Sequence, residues 1–450
     1  MRGSRWMFLG TMALAAAAGA QTARVHCVDD DPAVEIVREA ASTDAAREVD
    51  ALVQAALERS RAIGAARALA EAAARDTDET RAAGEVQASL NARAGGDVSR
   101  VGGRLLSQPG SGSASIAASQ LLWDGGRQQA LVDWRAQLAE AASQSLLSQQ
   151  EQVALSAVSL ALERARYRAH EQVYGQYARK MACLVDALSQ VVAVDRGRAS
   201  ELLQARKALQ QAELARAGTE SQRRQAEIRL HRVAGERAID DALLGAALQA
   251  LPALDTVLTA TERAPEIAQL ARQAQAASSL AQAVAAGGKP QVSWTVSGSR
   301  SAGFGGTVGA QHGTTVAAGV VLSLPLLNPG VTHAVDAAKW RTLAAREQLD
   351  DTLESRRSRV REVHEQAVST RDRAERVQRV LRDSQQLRAA TQLQWQQLGR
   401  RALFDVMGAE SEHYNLRISH VNALVDAQQL HATLQSLGPG LLASLRRGRP

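Results

Sequence analysis

The sequence predicts a mainly α-helical chain with a small β part suited to a membrane. It reads as two tandem copies of one strand–long-helix unit. Three observations predict this. Proline is absent from residues 110–251 and from 330–438, and proline-free runs of that length fit long, uninterrupted helices. Landmarks recur 204 residues apart: Leu122 in "LLWDGG" with Leu326 in "PLLNPG", and Glu201 with Asp405. "ALERSRAIGAARA" (56–68) lines up with "ATERAPEIAQLAR" (260–272) at the same offset, which marks an internal duplication. Each half also holds two short segments of alternating apolar and polar residues, the pattern of a barrel strand.

The elements follow in order. Residues 1–20 read as a secretory signal peptide: Arg2 and Arg5 precede an apolar stretch, and Ala18-Gly19-Ala20 is a small-residue cleavage site. Residues 21–47 form a polar leader, whose "DDD" at 29–31 fits a disordered acidic patch better than a calcium site. The first repeat, 48–247, opens with an Ala-rich helix at 48–76. Strands at 85–93 and 113–123 follow, then helices at 127–194 and 199–234. The second repeat, 248–438, has a helix at 263–286, strands at 291–299 and 314–326, and helices at 331–397 and 402–437. Residues 439–450 remain as a C-terminal tail.

In the second repeat Val292, Trp294 and Val296 alternate with Ser293, Thr295 and Ser297. Each second strand meets its long helix at a sharp corner, Asp124-Gly125-Gly126 and Asn328-Pro329-Gly330, where Gly and Pro permit the turn. A helix over 127–194 would run about 100 Å, longer than a compact domain. Leu353, Val360, Ala367, Ala374 and Leu381 recur every seven residues, a coiled-coil seam.

Composition narrows the function. Only 3% of residues are aromatic, so the apolar 45% is mostly small and aliphatic. The net charge of +6 is spread among acidic residues, a solvated mixed face rather than a nucleic-acid patch. Cys27 and Cys183 suggest no disulfide framework and no metal-ligand spacing. His413 and His420, seven apart on one helix, fit a packed or solvated face. No later run of about 18 apolar residues exists, so any membrane crossing must use strands. Phosphate-loop, metalloprotease and nucleophile-elbow motifs are absent. The expectation is a non-enzyme without cofactor or metal.

The ordered set resembles the TolC family of outer-membrane channels. "LLWDGGRQQALV" and "LSLPLLNPGVTHAV" carry the resemblance at the corners. "GRASELLQARKALQQAELA" and "LGRRALFDVMGAESEHYNLRISHVNALVDAQQLHATLQSLG" carry it at the returning helices. The resemblance implies a homotrimer whose twelve-stranded β-barrel continues into a long α-helical coiled-coil barrel. It implies an outer-membrane exit duct extending into the periplasm, working with a periplasmic adaptor and an inner-membrane ABC or proton-driven pump. Its cargo would be small toxic molecules or, by type I secretion, a protein; the first returning helix looks more like the secretion branch.

The resemblance also implies site residues. Asp405 falls at an acidic ring of the pore constriction. Gly408 falls where a second acidic ring usually stands. Arg401 falls at an arginine that latches the closed tip to an acidic residue of the first repeat, here Glu201. Glu201 and Asp405 would in any case favour the N-terminus of a helix dipole. The alternative is a soluble periplasmic coiled-coil adaptor or scaffold, which would have no use for strands of bilayer length. The scarcity of interfacial aromatics weighs against a barrel.

Overall fold

A computed structural model describes residues 42–101, 104–235, 251–304, 312–398 and 402–447. The expected signal peptide and most of the leader lie outside the described residues. Helix α1 (Ser42–Arg59) leads to α2 (Arg61–Ala82), then strands β1 (Gln87–Val101) and β2 (Arg104–Trp123). Helix α3 (Arg127–Val194), a short 3-10 turn (Arg196–Arg198) and α4 (Ala199–Ala234) follow. The order then repeats: α5 (Leu254–Thr261), α6 (Pro265–Ala286), β3 (Gln291–Phe304), β4 (His312–Ser323), α7 (Pro329–Leu398) and α8 (Leu403–Leu437). A short α9 (Leu441–Arg447) ends the described chain.

Several boundaries differ from the sequence expectation, each for a physical reason. The helix expected at 48–76 is two helices that break at Ser60. The Ser60 hydroxyl accepts the Ile63 N–H at 3.4 Å and so starts α2. The strands are longer than the alternating segments. Backbone pairing carries β1 and β2 on from Gly95 to Val101 and back from Arg104, past a register shift at Gly95/Asp97. A backbone ladder needs no apolar side chains, so periodicity did not show it. Strand β4 stops at Ser323 rather than 326, and α7 starts at Pro329 rather than 331. Pro325 has no N–H for a ladder, while Pro329 suits a first helical position. The expected tail contains α9, and Cys183 is disulfide-bonded where no disulfide framework was expected.

The four strands form one antiparallel sheet in the order β1-β2-β3-β4. Register makes its two faces unlike. Leu90 pairs with Ile116, Ile116 with Gly298, and Gly298 with Val316. The next row in register is Ala88, Ala118, Val296 and Ala318. These rows make one face apolar. The other face carries Ser89, Ala117, Ser297 and Ala317 beside Asn91, Ser115, Ser299 and Thr315. Among the described residues no helix covers the apolar face: Leu90 is 76% exposed and Val316 78%.

The core lies among the helices. Val158, Leu162 and Ala165 of α3 pack on Val421 and Val425 of α8, with Val53 of α1 and Leu441 of α9. Ala157 and Ala161 of α3 meet Leu230 and Ala234 of α4. Val360, Val363 and Ala367 of the α7 seam pack on Leu434 of α8 and Val257 of α5. Small residues at these contacts let long helices approach closely. Among the described residues no helix is long and apolar enough to cross a membrane.

Candidate functional site

The two ends of the helical bundle hold the candidate residues. At the sheet end the first corner is tightly held. Asp124 is buried; its Oδ1 accepts the Gly126 N–H at 3.1 Å and its Oδ2 the Gln128 N–H at 2.6 Å. This satisfies donors that the first turn of α3 would otherwise leave open. Gly125 and Gly126 take φ of 69° and 88°, a left-handed backbone that favours glycine. The Gln128 amide donates to the Thr80 carbonyl of α2. Lys289, before β3, donates to the Gly125 carbonyl at 2.9 Å. The second corner is open by comparison. Asn328, Pro329 and Gly330 are exposed, and the Val331 N–H donates to the Asn328 carbonyl at 3.1 Å. Leu326 and Leu327 beside it are 88% and 92% exposed.

At the far end α3 turns into α4 and α8 begins. Asp195 Oδ1 accepts the Gly197 N–H at 2.9 Å and so shapes the turn. Leu403, Val406 and Met407 of α8 pack with Met181, Leu184 and Leu188 of α3 and Leu202 and Ala205 of α4. That packing brings the two helix starts to one place. It also turns the opposite face of α8 outward, where Asp405 and Gly408 are exposed one turn apart. A Cβ on Gly408 would meet nothing within 4 Å. Glu201 lies in the first turn of α4, where Arg198 Nη2 holds its carboxylate at 2.6 Å. Arg401 lies outside the described residues.

The sequence reading missed a charged cluster one turn beyond this tip. Glu410 of α8 is fully buried. Its Oε1 lies 3.7 Å from Lys180 Nζ of α3, and its Oε2 lies 3.4 Å from Arg388 Nη1 of α7. Lys180 also donates to Gln392 Oε1 at 3.0 Å. Ser384, Arg388 and Thr391 are all buried; Arg388 continues the seven-residue spacing of Val360, Ala367, Ala374 and Leu381, and Ser384 and Thr391 continue that of Val363 and Val377. The seam turns polar there, so a hydrophobic pattern could not find it; extending the heptad regardless of residue type would have.

Farther along, Asp426 of α8 joins Arg166 of α3 at 2.6 Å and Arg373 of α7 at 3.3 Å. His413 and His420 are packed inside. Burial pushes the His420 imidazole below its ordinary pKa, against a hydrogen bond to the Ala374 backbone. Burial also lowers His170, to about 4; Arg166 adds to the effect and a hydrogen bond with Asn422 opposes it. Among the described residues no group of His, Cys, Asp and Glu is placed to hold a metal.

Residues 257–438 match the model of the outer membrane efflux protein family. This match spans less than half of the chain. Solved structures share the fold of this chain at low identity. The outer-membrane channel OprN is 17% identical with a TM-score of 0.76, covering 92% of this chain and 96% of its own. The outer membrane protein VceC of Vibrio cholerae is 19% identical with a TM-score of 0.73, over 88% and 96%. The open-state MtrE channel of Neisseria gonorrhoeae is 18% identical with a TM-score of 0.74, over 88% and 89%. No curated protein matches this chain in sequence.

Proposed function

We propose that three copies of this chain close one twelve-stranded barrel in the outer membrane. The barrel continues into a tunnel of the long helices, a passive exit duct for an inner-membrane pump joined through a periplasmic adaptor. The sheet carries this reading. Among the described residues it has four strands with both edges unpaired, an exposed apolar face and a Ser-rich opposite face. Four strands are too few to close a barrel, and an open edge cannot stand in lipid. Three copies, edge to edge, remove every edge. The apolar face then meets lipid and the polar face lines water.

In this arrangement the Asp405 carboxylates form a ring at the periplasmic tip and favour cations. Gly408 leaves that ring single. Arg401 and Glu201 form the latch that an adaptor breaks, with Arg198 as the partner Glu201 keeps once the latch opens. The duct serves efflux or type I protein secretion according to the pump it meets.

Planar-bilayer recording of detergent-purified protein under a salt gradient tests the reading. Small, discrete, cation-selective steps are expected. Well-folded protein that neither inserts nor conducts would overturn it in favour of a periplasmic scaffold.

A further inference from the structure

A cleft of about 650 Å3 lies between α3 and α4, on neither the tip nor the corners. Five arginines and two glutamates line it. Both carboxylates are engaged at one end. Arg223 donates to Glu171 at 2.8 Å and to Glu227 at 2.8 Å, and Arg164 reaches Glu227 at 3.3 Å.

The other end holds Arg179 of α3 and Arg216 of α4. Among the described residues neither makes a hydrogen bond or an ion pair. Yet both converge on one spot above Gly175. A Cβ there would sit 3.7 Å from Arg179 Nη1 and 3.9 Å from Arg216 Nε. Two cations from different helices thus share one point that no carboxylate occupies.

Two further observations mark the spot. Gly175 stands in the middle of a 68-residue helix, where glycine is a poor helix former. A Cβ would make only ordinary contacts there, so packing does not demand the glycine. Its effect is to leave room above the backbone. Beside it, Gln176 Oε1 is buried without a hydrogen-bond partner, and Gln176 borders the same cleft.

We propose that this cleft is a binding site for a soluble phosphate group that keeps one protonated oxygen. Two phosphate oxygens accept from the Arg179 and Arg216 guanidinium groups, the strongest kind of hydrogen bond available to an anion here. The phosphate O–H donates to Gln176 Oε1, which otherwise stays unsatisfied. Sulfate has no O–H at neutral pH and cannot make that bond. A lipid headgroup at the sheet does not reach the site. Gly175 is 48 residues beyond the start of α3 at Arg127, roughly 70 Å along the helix axis. The site belongs to one protomer and does not depend on the channel reading.

The test is calorimetric titration of the detergent-purified full chain with inorganic phosphate, with glycerol 3-phosphate and with sulfate, at constant ionic strength and about pH 6, where both phosphates retain a protonated oxygen and sulfate does not. Saturable phosphate binding, at least tenfold tighter than sulfate, is expected. It should be lost in Arg179→Gln/Arg216→Gln, whose exposed side chains leave the helix packing intact. Gly175→Asp, which tethers a carboxylate at the same point, should also block it. Preference between the two phosphates tells free ion from ester. No saturable binding by either phosphate, binding unchanged in the double variant, or sulfate binding equally well would each overturn the proposal.

Discussion

Lys289 donates a hydrogen bond to the Gly125 carbonyl at 2.9 Å, joining the last residues before β3 to the first strand-to-helix corner. The same side chain lies over Gly125 so closely that a Cβ there would sit 2.4 Å from Lys289 Cδ. Gly125 is therefore held by two constraints, its φ of 69° and the lysine above it. Gly125→Ala should lower stability by about 2 kcal/mol. Lys289→Ala, which removes only an exposed donor, should cost under about 1 kcal/mol. Combined with Gly125→Ala it should restore part of the loss, because the clash with Lys289 Cδ and Cγ goes while that with Lys289 Cβ, 2.7 Å from the new methyl group, stays. Thermal unfolding of the three variants in detergent measures this; a purely additive double variant would rule out the Lys289 side chain beyond Cβ as a source of strain.

Asp405 and Gly408 stand exposed one turn apart on α8. Asp405→Asn should lower cation preference in bilayer recordings, since it removes the proposed ring of charge. Gly408→Asp should raise it, because the position is open within the protomer. Arg401→Ala should raise open probability. Unchanged ion selectivity in Asp405→Asn would remove that residue from the pore, and unchanged gating in Arg401→Ala would remove the latch.

Glu410 is fully buried against Lys180 and Arg388. Removing one member of a buried charge group leaves the others uncompensated, at a cost of about 3–5 kcal/mol. Glu410→Ala should therefore destabilise the protein far more than Asp405→Asn does. Replacing Glu410 with Leu and both cations with Met should recover much of that loss. Comparing unfolding midpoints of the single and triple variants checks the prediction.

His170 stays neutral in the folded protein down to about pH 4, below its ordinary 6.5, chiefly because it is buried. Between pH 6.5 and 4 the unfolded chain takes up a proton that the folded protein refuses. Stability is thus full above pH 6.5 and falls through that window, by up to about 3 kcal/mol. His420 and His431, also lowered by burial, act in the same direction. Glu151 acts oppositely: burial raises its pKa despite the Leu441 and Leu442 N–H groups it accepts. The difference between wild type and His170→Gln isolates the histidine. The variant should lose less stability between pH 7.5 and 5, and identical profiles would rule His170 out as a source of acid sensitivity.

Much of the fold was legible because its signals are local. Proline-free runs and heptad spacing depend on residues a few positions apart, as do the alternating segments and the Gly-rich corner. They marked α3, α4, α7 and α8 and the cores of all four strands. The break at Ser60 was harder, since one hydroxyl at 3.4 Å decides it. The outer half of the β1–β2 hairpin rests on backbone pairing that side chains do not advertise.

The sequence by itself determined the long helices, the strands at their ends and the corners between them, because steric and hydrophobic periodicity act within one segment. Only the tertiary structure decided that Glu410 meets Lys180 and Arg388, and that Arg179 and Arg216 converge over Gly175. Those residues come from different helices, and a buried charge or a shared anion site exists only once the helices are packed side by side.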